Sequence, residues 1–221
     1  MKKAGVGESL LAVVLCGTML WTACSMAWIT EAEQIVAALI PATANLVALV
    51  ATLQGNSVSA EDLQTIQSAG SQAGADLQVM QSLIVAYQKA DAVAQPELLN
   101  RIQAAMSAVK STLTALLPAL HIKDAATQAK ITAVIGIVLS EVESMAAIVP
   151  LVNAGASPRM MAMAARQVKK QPPLTASEFV ASYNATMTAK TGNTELDHAS
   201  AGLRIHGHQK LVRWASVGIL N

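Results

Sequence analysis

Aromatic side chains are scarce in this chain: three Trp, two Tyr and one Phe among 221 residues. So few rings argue against the aromatic platforms on which single-stranded nucleic acids stack. Charge is scarce too, at 13% of residues, where a typical soluble domain has about 25%. The net charge of +1 lacks the basic footprint of a nucleic-acid-binding protein. The only two cysteines, Cys16 and Cys24, fall near the start, which excludes a disulfide scaffold and a cysteine-based zinc centre. What the chain has in excess is apolar residues, 53% of the total. That content excludes intrinsic disorder. The length suits one domain with a real core plus a smaller appendage.

The first residues read as an address. Lys2 and Lys3 give a positive start, and Ser9 to Ala23 is an uncharged, mostly apolar stretch ending at Ala23-Cys24. That is the layout of a secretory signal, and 15 residues are too few to span about 30 Å of hydrocarbon comfortably. The segment Leu20-Trp21-Thr22-Ala23-Cys24 resembles the lipobox of bacterial lipoproteins. The resemblance covers about a tenth of the chain. It implies cleavage before Cys24, diacylglycerol on the Cys24 sulfur and acylation of its amine. Ser25 resembles the following residue that permits export to the outer membrane. Two or three acyl chains suffice for stable anchoring. Simple secretion and an uncleaved anchor are the alternatives. Cys16, in mid-run, has no role in any of them.

Beyond the leader the chain is Ala- and Gln-rich, with no alternating strand pattern of useful length, and reads as helix almost throughout. Thr30-Glu31-Ala32-Glu33 has the form of a capping box and predicts a first helix from Thr30 to about Leu53, stopped by Gly55-Asn56. A second opens at Ser59 with Asp62 three residues on. Its seam is Leu63, Ile66, Gly70, Ala73, Leu77, Met80, Ile84 and Tyr87, the 3-4 alternation of a left-handed helix pair. Gly70 and Ala73 predict a close approach to a neighbour at mid-height. A third helix takes Pro96 in its first turn and buries Leu99, Ile102, Met106, Val109, Leu113, Leu116 and Leu120, with Pro118 set to end or kink it. A fourth opens near Asp124 and buries Ile131, Ile135, Val138, Val142, Met145 and Val149. Links of a few residues favour antiparallel neighbours.

One run strains this picture. Ile35 to Leu53 is 19 residues without a charge, long enough to cross a bilayer, although Pro41 and Asn45 interrupt it. A hairpin of two spans calls for cations just after Leu53, where the chain has Glu61 and Asp62 instead. A helix apolar all round is equally the central member of a bundle. Burial is the expectation, with a span, or a helix that switches between the two, as alternatives.

Charge divides along the chain. Residues 28–154 hold 5 cations and 10 anions, and residues 155–221 hold 8 cations and 3 anions. The composition shifts at Asn153 to Pro158, a domain boundary. The tail opens with a basic piece, Met160 to Lys170, closed by Pro172-Pro173. Thr175 to Glu178 is another capping box, opening a helix with Phe179, Tyr183 and Met187 on one face. Thr194-Glu195-Leu196-Asp197 opens the last helix, where Leu196, Leu203, Leu211 and Trp214 share an apolar side. His206, Lys210 and Arg213 form a cationic stripe, joined by Arg204 and His208. Three readings compete for this tail. It folds back on the acidic core with charge setting its orientation, or it lies on an anionic lipid surface with Trp214 at the interface, or it docks on an acidic protein or envelope polymer.

Ser107-Ala108-Val109-Lys110, Ser182-Tyr183-Asn184 and Lys190-Thr191-Gly192 resemble the signatures of penicillin-binding proteins and serine β-lactamases. Those enzymes set K-T-G on a sheet strand and separate it widely from the second element, whereas here five residues intervene and no sheet is expected. Gly192 reads better as a helix stop. His198, His206 and His208 have no metal-ligand partners, since His-x-His on a helix turns its rings about 200° apart. Gly70 to Gly74 lacks the lysine of a phosphate loop. No His or Cys lies on a seam, so a di-iron or haem bundle has no ligands.

The sequence therefore predicts an all-α protein: an antiparallel up-down four-helix bundle and a smaller basic helical tail. The divisions are a signal peptide (1–23), a lipid-anchored spacer (24–28), the bundle (29–154), a basic linker with a short helix (155–174) and the C-terminal tail (175–221). The expected role is structural or adaptor-like at the cell envelope, without catalysis, cofactor or metal. The partners are a membrane through Cys24, and an acidic protein or anionic lipid through Arg204, His206, His208, Lys210 and Arg213. A membrane-active protein of the pore-forming type is the alternative, and a carrier of small apolar ligands the second.

Overall fold

The computed structural model describes residues 6–53, 58–119, 121–153, 160 and 175–206. Among these residues there are six α-helices and no strand: α1 (Val6–Thr52), α2 (Ala60–Lys89), α3 (Gln95–Ala119), α4 (Ala125–Asn153), α5 (Ala176–Thr188) and α6 (Thr194–Ala201). The all-α expectation holds.

Local chemistry sets most of the boundaries. The Ser59 hydroxyl accepts from the Asp62 N–H (3.0 Å) and donates to the Asp62 carboxylate (2.6 Å), closing the first turn of α2. Asp124 caps α4, accepting from the Thr127 N–H at 2.8 Å. Thr175 and Glu178 form a reciprocal capping box on α5. Pro96 sits in the first turn of α3, and α3 runs one residue past Pro118.

The seams are buried as the 3-4 spacing requires. All eight seam positions of α2 are inside. So are Leu99, Ile102, Met106, Val109, Leu113 and Leu116 of α3, and all six seam residues of α4; Leu120 lies outside the described residues. Together with α1 they form one apolar core. α1 packs along α2, α2 along α3, α3 along α4, and α4 meets α1. Near the end of α2, Gln88 donates to Glu33 (2.9 Å), while Gly70 lies against Val47, so α2 runs opposite to α1. The backbone N–H of His121, just past α3, donates to Asp62 at the start of α2 (3.0 Å), so α3 runs opposite to α2. The close approach expected at Gly70 is present: a methyl group added there would fall on Val47 Cγ2.

Two boundaries differ from expectation. α1 does not begin at Thr30; it runs unbroken from Val6. Residues 20–29 contain no Gly or Pro, and Ile29 is fully buried, so nothing interrupts the helix there. At the other end, α6 opens at Thr194 as expected, with Asn193 as its cap, but stops at Ala201. Leu203 therefore follows the helix rather than sharing its apolar face, and Leu211 and Trp214 lie outside the described residues. Side chains divert the backbone here: Asn45 takes the Leu203 carbonyl (2.8 Å) and Asn184 takes both polar groups of Ile205 (2.7 and 2.8 Å). Those groups are then lost to any helical ladder.

Candidate functional site

The lipidation candidate Cys24 lies within α1, five residues ahead of Ile29, the first buried residue among the described side chains. Of the five cationic candidates, Arg204 and His206 are exposed, in the non-helical segment after α6. His208, Lys210 and Arg213 lie outside the described residues. The helical cationic stripe is thus not formed by its described members.

The most developed polar site joins the C-terminal segment to the long helices. Its centre is Lys130 of α4, only 4% exposed. The ammonium donates to Met187 O (3.1 Å), Ala189 O (2.9 Å) and Ser200 Oγ (2.8 Å), which uses all three of its donors. Two of these acceptors belong to the C-terminal end of α5, where the helix dipole favours a cation. Asp197 stands 3.8 Å away. Burial pushes the Lys130 amine below its ordinary range, while Asp197 works against that shift.

Asp197 is itself held by Thr191, through the N–H (3.0 Å) and the hydroxyl (2.9 Å). Burial acts to raise its pKa, but the Thr191 donors and the charges of Lys130 and Lys190 outweigh it and keep the carboxyl below the usual range. Gly192 supplies a positive φ of 85° in this turn, a conformation few other residues adopt without strain. It follows the end of α5 by several residues, so it shapes the α5–α6 turn rather than stopping the helix.

Further grips lie along α1 and α4. Glu31 accepts from the Ala176 N–H (2.6 Å), satisfying one of the orphan donors in the first turn of α5. Tyr183, fully buried, reaches Leu203 O (3.4 Å) beside Asn45, and burial pushes its phenol up to about 12. Asn193 reaches Asp124 (3.4 Å).

In the sequence Lys130 stands only as one cation of the core. The signal was nonetheless present. Thr127, Lys130, Glu141 and Ser144 are all buried and share one 3-4-spaced stripe with Val134 and Ile148. That stripe runs beside the expected seam, so α4 has two faces to bury. Most of the tail's cations lie outside the described residues. Residues 175–206 contain two cations, Lys190 and Arg204, against Glu178, Glu195 and Asp197. The described pins join a core cation, Lys130, to tail carbonyls and a core carboxylate, Glu31, to a tail N–H.

The β-lactamase-like elements are separately engaged. Ser107 donates to Gln103 of its own helix (2.9 Å) and Lys110 pairs with Glu143 (3.0 Å). Asn184 holds Ile205, and Thr191 holds Asp197. Among the described residues no three His, Cys, Asp or Glu side chains cluster to hold a metal. A shallow, open depression between α2 and α3 is lined by Gln64, Thr65, Ser68, Gln72, Thr112 and Leu116. Compared with known proteins, the chain matches no protein-family model, no curated sequence and no solved structure.

Proposed function

We propose that the protein is an exported lipoprotein of the cell envelope, held to the outer membrane by acyl chains on Cys24 and acting as a non-catalytic scaffold or adaptor. α1 to α4 form its antiparallel up-down four-helix bundle, and the C-terminal segment is the smaller helical tail. The observation that carries this reading is the Leu20-to-Cys24 segment placed immediately ahead of the core. Cleavage before Cys24 leaves four residues between the lipidated residue and buried Ile29, a helical rise of about 8 Å from one to the other. So short a spacer holds the bundle end-on against the membrane instead of on a long tether. Met187 O, Ala189 O, Ser200 Oγ and the Ala176 N–H of the C-terminal segment bind it to α4 and α1, which supports a structural use for that segment.

Metabolic labelling with radioactive palmitate tests the anchor. Label is expected in the wild type and not in Cys24→Ala, which should also move from the membrane fraction to the soluble one. Equal label in both, or none in the wild type, overturns the reading.

A further inference from the structure

The end of the bundle nearest Cys24 is fixed by one contact. Gln88, next to the last residue of α2, donates to Glu33 (2.9 Å), and α2 runs opposite to α1. The α2–α3 turn, residues 90–94, therefore lies at the same end as Trp28 to Glu33 of α1. Trp28 is half-buried and packs on the core. No described residue accepts from its indole N–H, and that nitrogen is not sealed from solvent. In the turn beside it, Val93 is 88% exposed. The turn has its own donors satisfied: the Val93 and Ala94 N–H groups donate to Asp91 (3.1 and 2.9 Å), and the Gln95 side chain donates to Ala90 O (3.2 Å). Acidic residues bound this end in depth. Glu31 and Glu33 follow Trp28 closely, and their carboxylates accept from the Ala176 N–H and from Gln88.

We infer that Trp28 is a second membrane contact, its indole lying in the headgroup layer of the zwitterionic phospholipid bilayer that holds Cys24. Three observations select that partner. The first is distance. Cys24 is four residues ahead of Trp28 on α1, a rise of about 6 Å, and the headgroup layer outside the hydrocarbon is about 5–7 Å thick in each leaflet. A lipid-bearing Cys24 at the hydrocarbon boundary thus sets Trp28 within that layer. The second is chemistry. A ring with an apolar side against the core and an unengaged N–H suits the interface, where tryptophan is enriched because one part of the ring meets an apolar medium and the other a wet one. The third is charge. Glu31, Glu33, Asp91, Glu97 and Glu178 outnumber Lys89 at this end, so an anionic surface is not attracted, and carboxylates resist the hydrocarbon, which halts immersion near Trp28. This inference rests on the lipoprotein reading and names the residue through which the bundle itself meets the membrane.

The test uses Trp28 as its own reporter. Trp21 leaves with the leader, so Trp214→Phe makes Trp28 the one tryptophan of the processed chain. The full chain is expressed with radioactive palmitate, extracted from membranes and reconstituted into phosphatidylcholine vesicles that carry brominated phospholipid. The bromine sits either high on the acyl chains or near their ends. Bromine high on the chains is expected to quench most of the Trp28 emission and bromine near the ends little of it. High salt is expected to change neither result, because the contact contains no ion pair for salt to screen. Palmitate-labelled protein whose emission is not quenched overturns this inference and leaves the lipoprotein reading standing. Stronger quenching from the chain ends overturns it too, by placing Trp28 inside a span. Quenching that disappears in high salt overturns it by assigning the contact to basic residues. Absence of palmitate label overturns both readings together.

Discussion

α2 and α3 each bury essentially one 3-4-spaced stripe and turn Gln, Ser, Thr and charged residues to solvent, whereas α1 and α4 are apolar nearly all round. The structure shows what that difference means. α1 meets α2, α4, α5 and α6, and α4 meets α3, α1 and α5. A helix with neighbours on several sides has little surface left for polar residues. The all-round apolar pattern therefore marks the central position in the packing. Buried polarity follows the same division. Thr43 on α1, and Thr127, Lys130, Glu141 and Ser144 on α4, are inside, while on α2 and α3 the sole buried ionisable carboxylate is the capping Asp62.

The largest expected effect sets the second face of α4 against the outer face of α2. Val134→Asp places an unpaired charge at a fully buried site and should cost more than about 4 kcal/mol, abolishing cooperative thermal unfolding. Val79→Asp, where the valine is 52% exposed, should stay within about 0.5 kcal/mol of wild type. Similar unfolding midpoints for the two would show that α4 has no second buried face.

Lys130→Met comes next. It keeps the apolar stem but leaves Met187 O, Ala189 O and Ser200 Oγ without their shared donor, at a cost of about 2 kcal/mol. Chemical denaturation should show the loss, with exchange protection falling first in α5 and α6.

The glycines of α2 sharpen the comparison from inside one helix. Gly70→Ala gains about 1 kcal/mol of helix propensity, but the added methyl meets Val47, whose χ1 is stiff, so overpacking of about 2 kcal/mol should leave a net loss. Gly74→Ala has nothing within 4 Å of the added carbon and should stabilise by somewhat under about 1 kcal/mol. Opposite signs in denaturant titrations four residues apart locate the face toward α1.

The smallest effect concerns acid stability. The Ser59 hydroxyl and the His121 N–H hold the Asp62 carboxyl below 3.8. A depressed carboxylate stabilises the fold above its unfolded pKa, and that stability fades as pH falls through the lower folded value. Asp62→Asn should cost about 1 kcal/mol near neutrality, and the difference from wild type should close only below pH 3.8. A gap that closes in the neutral range would assign the effect to another group.

Much of this was legible in the residues. The seams of α2, α3 and α4, the caps at Ser59, Asp124 and Thr175, and the Phe179–Tyr183–Met187 face all rest on spacing or on hydrogen bonds within a single turn. The start of α1 was not legible, because the Thr30–Glu33 pattern has the form of a cap even where helix-compatible residues precede it. The end of α6 was not legible either, since Asn45 and Asn184, distant in sequence, divert the backbone at Leu203 and Ile205. Of the candidate site, the sequence pointed to Cys24 and to a cationic set of which Arg204 and His206 are described, both exposed. It gave Lys130 no role beyond that of one cation of the core.

By itself the amino-acid order determined the helical content, the positions of most helix ends and which side of each amphipathic rod turns inward. Those properties depend on contacts within three or four residues, and periodicity encodes them directly. Only the tertiary structure decided that α1 and α4 lie side by side beneath α5, and that the pin is a core lysine gripping tail carbonyls. A carbonyl at the end of a helix has the same identity in every sequence, so its partner is chosen by where the packing brings a donor.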